Sequence, residues 1–144
     1  MVYAERNIWA TLLATAVVIP CYVIVILQQV GGRPLTSVDW LPTMLWAIGI
    51  SIAATVVLGI VWGIIAARRD PKGATTSDVR DRDIDRMGGR IEHGLLVVAG
   101  LGVIALCAVG ADVFWIANAM FLGFAVSTFV GSIARLIAYR RGLV

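Results

Sequence analysis

Arg68-Arg69-Asp70-Pro71-Lys72-Gly73-Ala74-Thr75-Thr76-Ser77-Asp78-Val79-Arg80-Asp81-Arg82-Asp83-Ile84-Asp85-Arg86-Met87-Gly88-Gly89-Arg90-Ile91-Glu92-His93 is the one long polar stretch in a chain of 144 residues, and it separates two apolar halves. Arg68, Arg69, Lys72, Arg80, Arg82, Arg86 and Arg90 are seven of the twelve basic residues, and Asp70, Asp78, Asp81, Asp83, Asp85 and Glu92 are six of the nine acidic ones. With 60% hydrophobic and 15% charged residues and a mean hydropathy of +0.91, the chain is too apolar for a soluble domain, whose apolar share is about half and charged share about a quarter. The expected fold is an all-α integral membrane protein, a single membrane domain over 1–144. The net charge of +3 sits at the ends of apolar runs, so it reports membrane orientation and not direct nucleic-acid binding.

Outward from that stretch, four transmembrane helices are expected over about 8–27, 44–67, 94–110 and 113–138, with the segment 68–93 between the second and third. The first run is long enough to cross a core of roughly 30 Å and has no small-x-small cleavage site; Val18-Ile19-Pro20-Cys21 puts proline where a lipobox needs a small residue. Pro20 should bend this helix, with Thr15 available to the freed carbonyl. Gln28 to Thr43, with Gly31-Gly32-Arg33-Pro34, reads as the longer outer loop. The third span is short and glycine-rich, and Ala111-Asp112 makes a tight link to the fourth.

Spans two and four each carry small residues at every fourth position. Ala47, Ser51, Thr55, Gly59, Gly63 and Ala67 form one stripe; Ala119, Gly123, Ser127 and Gly131 form the other, whose face continues to Arg135, a residue expected to snorkel to the headgroups. In lipid, helices associate through close backbone approach, so both stripes are expected packing seams within or between chains, and a homo-oligomer is expected. Aligning Arg68-Arg69 with Arg140-Arg141 places Ala47 on Ala119, Ala53 on Ala125, Gly59 on Gly131 and Ile65-Ala66 on Ile137-Ala138. That alignment is consistent with a duplicated helical hairpin. Arginines precede span one (Arg6), fill 68–93 and follow span four (Arg140, Arg141), while Arg33 alone falls in an opposite loop. The positive-inside rule then puts both termini and the central segment in the cytoplasm of a bacterial inner membrane. Both hairpins run in the same sense, a parallel repeat and not the inverted repeat of many transporters.

Within the central segment, Asp70 to Thr76 reads as a loop and Ser77 to Met87 as a short cytoplasmic helix. Ser77 is its expected N-cap, and Gly88-Gly89 is expected to break or bend it. Asp78 with Arg82, and Arg82 with Asp85, have the spacing of intrahelical pairs, each contributing about 0.2–0.5 kcal/mol. Asp78, Asp81 and Asp85 share a face that would suit a hard cation, but the interleaved arginines neutralise it and no metal is expected. The candidate partner-binding residues are Asp78, Asp81, Arg82, Asp85, Arg86 and Arg90.

Little else carries chemistry. His93 beside Glu92 is the candidate pH-sensitive pair; a lone histidine does not supply two haem ligands. Cys21 and Cys107 lack a C-x-x-C partner. Asp112 is the best N-cap for span four, and Asn118, one of few polar groups inside a span, should face protein or water. Together Asp112 and Asn118 hint at a polar vestibule, but no acid lies mid-span as a proton-coupled exporter needs. Neither cofactor nor catalytic residue is expected.

Asp81-Arg82-Asp83-Ile84-Asp85-Arg86-Met87-Gly88-Gly89-Arg90, Trp115-Ile116-Ala117-Asn118-Ala119 and Arg135-Leu136-Ile137-Ala138-Tyr139-Arg140-Arg141-Gly142 together resemble the uncharacterised small four-span bacterial membrane proteins with an acidic-arginine motif before span three. The resemblance covers Asp81 to Gly142; the acidic position is doubled here as Asp81-Arg82-Asp83. Such proteins are often encoded beside small helix-turn-helix regulators, which implies a sensing or immunity role with a cytosolic regulator, or another membrane protein, as partner. The expected function is therefore that of a non-enzymatic sensor, immunity or accessory protein whose segment 78–90 engages a partner. The alternative is a small oligomeric channel or transporter built on the seams Ser51, Thr55, Gly59 and Gly63, and Gly123, Ser127 and Gly131.

Overall fold

The computed structural model describes residues 3–69 and 79–141. Within them the chain forms α1 (Tyr3–Val30), a short 3-10 turn (Leu35–Ser37), α2 (Trp40–Arg69), α3 (Val79–Ala108) and α4 (Val113–Arg141), with no strand among the described residues. All four α-helices are long and apolar enough to cross a membrane. Ser77, Asp78 and the loop expected over 70–76 lie outside the described residues.

Local chemistry sets the turns. Gly31 and Gly32 take positive φ of 49° and 84° where α1 stops. Pro42 falls in the first turn of α2, where a missing N–H costs nothing, so the loop is shorter than the expected Gln28–Thr43. At the other hairpin, Gly110 adopts φ +68°. Its N–H donates to the Cys107 carbonyl at 3.1 Å and that of Ala111 to the Leu106 carbonyl at 3.0 Å, the double closure that ends a helix on a left-handed glycine. Two residues on, Asp112 Oδ1 accepts the Phe114 N–H at 2.8 Å and caps α4.

The helices lie in the order α2, α1, α4, α3, an open row in which α1 meets α2 and α4 while α3 meets α4. The inner position of α1 follows from a buried residue at every fourth position: Ala10, Ala14, Val18, Tyr22 and Ile26. This stripe runs through Pro20 without ending the helix. The apolar core sits at the end carrying both hairpin turns, where Val18, Tyr22 and Ile26 meet Val38, Met44, Ala47 and Phe114. Tyr22 stands edge-on to Phe121 at 4.8 Å and Trp40 to Phe114 at 6.2 Å.

Two expectations need correction. The charged residues after Val79 do not form a separate short helix, because α3 runs unbroken through Gly88-Gly89 to Ala108. A mid-helix glycine costs about 1 kcal/mol relative to alanine, but here Gly88 gives close access to a side chain of α4 that holds the helix in place. And Arg135 does not snorkel outward; it is the side chain that Gly88 admits.

Candidate functional site: a clasped charged extension of α3 and α4

At 1.5 Å per residue, the 30 residues of α3 span about 45 Å, and the apolar core of a bilayer is roughly 30 Å thick. The charged first turns of α3 and the last turns of α4 therefore extend together past the apolar length of the hairpin. What joins them is a reciprocal fit. On α3, Gly88 precedes Glu92 by four residues; on α4, Gly131 precedes Arg135 by four. In the antiparallel pair, the Arg135 side chain lies over Gly88 and the Glu92 side chain lies over Gly131. A Cβ built on Gly88 would stand 2.5 Å from Arg135 Cγ and Nε, and one on Gly131 2.5 Å from Glu92 Oε1. Further along the same contact a Cβ on Gly123 would stand 2.5 Å from Ala99 Cβ. The seam of α4 is thus filled from within the chain, by α3.

The charges close on one another across this fit. Arg135 Nη1 donates to Glu92 Oε1, Nη2 to Glu92 Oε2 at 3.2 Å, and Nε to Asp85 Oδ1 at 3.1 Å. The forked guanidinium therefore holds one carboxylate with two donors and a second with its remaining edge. The Arg135 side chain is 13% exposed, so removing its partner would leave a largely desolvated charge. Farther toward the free end, Tyr139 Oη donates to Asp81 Oδ1 at 3.0 Å; Asp81 is 7% exposed and Ile84 beside it fully buried.

This sorts the candidate residues. Asp81, Asp85 and Glu92 turn toward α4, while Arg82, Arg86 and Arg90 are exposed on the flank away from it. Of the intrahelical pairs expected of Arg82, the one with Asp85 is not formed, since Asp85 is taken by Arg135; among the described residues the pair within α3 is Arg86 Nη1 with Asp83 Oδ1 at 3.5 Å, on exposed side chains. Asp78 lies outside the described residues. His93 is exposed and Glu92 half-buried. No group of His, Cys, Asp and Glu able to hold a metal ion occurs among the described residues.

Asn118 and Asp112 occupy different settings. Asn118 is buried, with Oδ1 accepting from Tyr22 Oη at 2.7 Å and Nδ2 donating to the Phe114 carbonyl at 2.8 Å; it ties α4 to α1. Asp112 is exposed and spends an oxygen on its cap. The α2 seam differs from that of α4. Ala47 is buried, but Ser51, Thr55, Gly59 and Gly63 line open space beside α1; among the described residues a Cβ on Gly63 would meet nothing within 4 Å, and one on Gly59 only Asn7 Oδ1 at 3.1 Å.

Arg135 and Tyr139 were not expected at a site. The signal for Arg135 was present as two glycine-to-charge spacings of four, of opposite charge, on the two helices of one hairpin. Comparisons with protein families, with curated proteins and with solved structures each return no match to this chain.

Proposed function

We propose that the protein is a non-enzymatic membrane accessory or sensor protein whose α3–α4 extension carries an acidic cytosolic partner. The observation that supports this reading is charge segregation on one braced helix: the acids Asp81, Asp85 and Glu92 face α4, and the exposed flank carries Arg82, Arg86 and Arg90 against one acid, Asp83, beside Arg86. A rigid row of arginines loses little conformational entropy on meeting carboxylates, and guanidinium forks suit them. In this reading both termini and the extension are cytoplasmic, in a bacterial inner membrane, and both hairpins cross in the same sense. The resemblance of Asp81 to Gly142 adds a helix-turn-helix regulator as the candidate partner.

Replacing Arg82, Arg86 and Arg90 together with glutamate tests it. These side chains do not brace α3 on α4, so helical content and melting temperature should stay at wild-type values while the partner no longer co-purifies from gently solubilised cells. Undiminished co-purification refutes the proposal. The second reading, an oligomeric channel or transporter, draws on the open α2 seam; proteoliposome flux that Gly59→Leu abolishes would favour it.

A further inference from the structure

Two open cavities along the α2 seam adjoin at Thr55 and Val56, which line both, and together make a groove. A cavity of about 670 Å³ lies over α1 between α2 and α4, with Thr15, Ser51, Thr55, Phe124 and Thr128 in its lining. A second, of about 580 Å³, continues from Thr55 and Val56 to Gly63 and Ile64 beside Asn7. Its mouth opens sideways along apolar stretches of α1, α2 and α4, so in a bilayer the medium at the mouth is hydrocarbon. One turn beyond Ile64, on the same face of α2, stands the exposed Arg68.

We propose that this groove holds one acyl chain of an anionic phospholipid whose phosphate rests on Arg68. Two observations converge on that occupant. The part of the groove next to Arg68, from Ile64 back to Thr55, runs about 14 Å along α2, close to the half of a roughly 30 Å core that one leaflet supplies. The charge at the end of the groove is positive and lies at the end of the apolar run, where a headgroup belongs. This inference does not rest on the arginine flank of α3.

The test is native mass spectrometry of the full chain released from detergent micelles loaded with equimolar phosphatidylglycerol and phosphatidylcholine. Wild-type protein should retain one phospholipid per chain, with phosphatidylglycerol favoured roughly fivefold, the factor one arginine contributes at an anionic surface. Thr55→Phe, which fills the groove, should lose the bound lipid, whereas Val57→Phe, on a residue outside the lining, should keep it. Arg68→Gln leaves the packing untouched and should retain lipid with the headgroup preference abolished, so the reading survives even if Thr55→Phe folds poorly. Equal retention by Thr55→Phe and Val57→Phe overturns the proposal. So does a persisting preference in Arg68→Gln, or a lipid-free dimer cross-linked through Ser51→Cys.

Discussion

Gly131→Ala adds one methyl group where the α4 seam is most tightly filled. Its Cβ would stand 2.5 Å from Glu92 Oε1 and 2.7 Å from Glu92 Cδ, about 1 Å inside ordinary contact. Glu92 has two ways to yield. It can rotate off α4 and release both oxygens from Arg135, or the helices can separate and open the Gly123–Ala99 contact two turns away. Overpacking of this kind costs about 1–3 kcal/mol, and release of a mostly desolvated Arg135 adds to it, by less than the 3–5 kcal/mol of a fully buried pair because the Glu92 side chain remains 26% exposed. Against this stands the helix-propensity gain of alanine over glycine, about 1 kcal/mol. The net expectation is a loss of roughly 2 kcal/mol. Gly63→Ala makes the same chemical change where nothing lies within 4 Å, and should be neutral or stabilising by up to about 1 kcal/mol. Both are measurable as shifts in the unfolding midpoint when dodecyl sulfate is titrated into mixed micelles, followed by circular dichroism. The decisive background is Glu92→Ala, in which the obstructing side chain is gone and Gly131→Ala should cost close to nothing. A cost that persists there, or equal midpoints for Gly131→Ala and Gly63→Ala, refutes the reciprocal fit.

Two further outcomes follow from the same contacts. Arg135→Met should destabilise by about 2–4 kcal/mol because Glu92 loses its partner, and Arg135→Met/Glu92→Met should recover most of that, since an apolar pair replaces a costly buried one; a double variant no more stable than the single one, by the same titration, would contradict the pairing. Asn118→Leu should cost about 1–3 kcal/mol by leaving the buried Tyr22 hydroxyl without an acceptor, while Tyr22→Phe/Asn118→Leu should lie closer to wild type, and additive losses in the double-mutant cycle would contradict the Tyr22–Asn118 bond.

How much of this was legible in the sequence depends on which interaction decides each feature. Local signals sufficed where local chemistry rules: the four apolar runs, the tight Ala111-Asp112 link and the capping Asp112 are written in residues that act on their immediate neighbours. The extent of α3 was not legible in this way. Gly88-Gly89 reads as a break because, on propensity alone, it is one; the contact that keeps the helix intact comes from Arg135, far along the chain, and no window around Gly88 contains it. The same non-local cause explains Arg135, whose place at the end of the span-four stripe suggests a snorkelling anchor until Glu92 and Asp85 are seen beside it. For α1, the fourfold repeat of Ala10, Ala14, Val18, Tyr22 and Ile26 held the information that it occupies an inner place, but in an all-apolar helix the contrast between faces lies in size and not in polarity. Asn118 was partly legible: an amide inside a span must find partners, yet only the fold names Tyr22 and the Phe114 carbonyl.

The likeness of α2 and α4 in sequence makes their unlike surroundings informative. Gly59 and Gly131 are equivalent under the alignment that superposes Arg68-Arg69 on Arg140-Arg141, and each sits in a stripe of small residues. Over Gly131 lies Glu92 of α3; over Gly59, among the described residues, lies only the tip of Asn7, with open space beyond. The difference arises from the order of the row. α4 is flanked on both sides, by α1 and α3, so its seam is consumed within the chain; α2 stands at the edge, packed along α1 and meeting α4 at its Trp40 end, away from Gly59 and Gly63. Small residues at an edge position lower helix propensity and gain no packing from their own chain, so the chain's internal contacts explain the stripe of α4 and leave that of α2 without a stabilising return. Close approach is what such a stripe permits, and for α2 the approaching body has to come from outside the chain. An acyl chain seated beneath Arg68 meets that requirement with the groove, the length and the charge already in place.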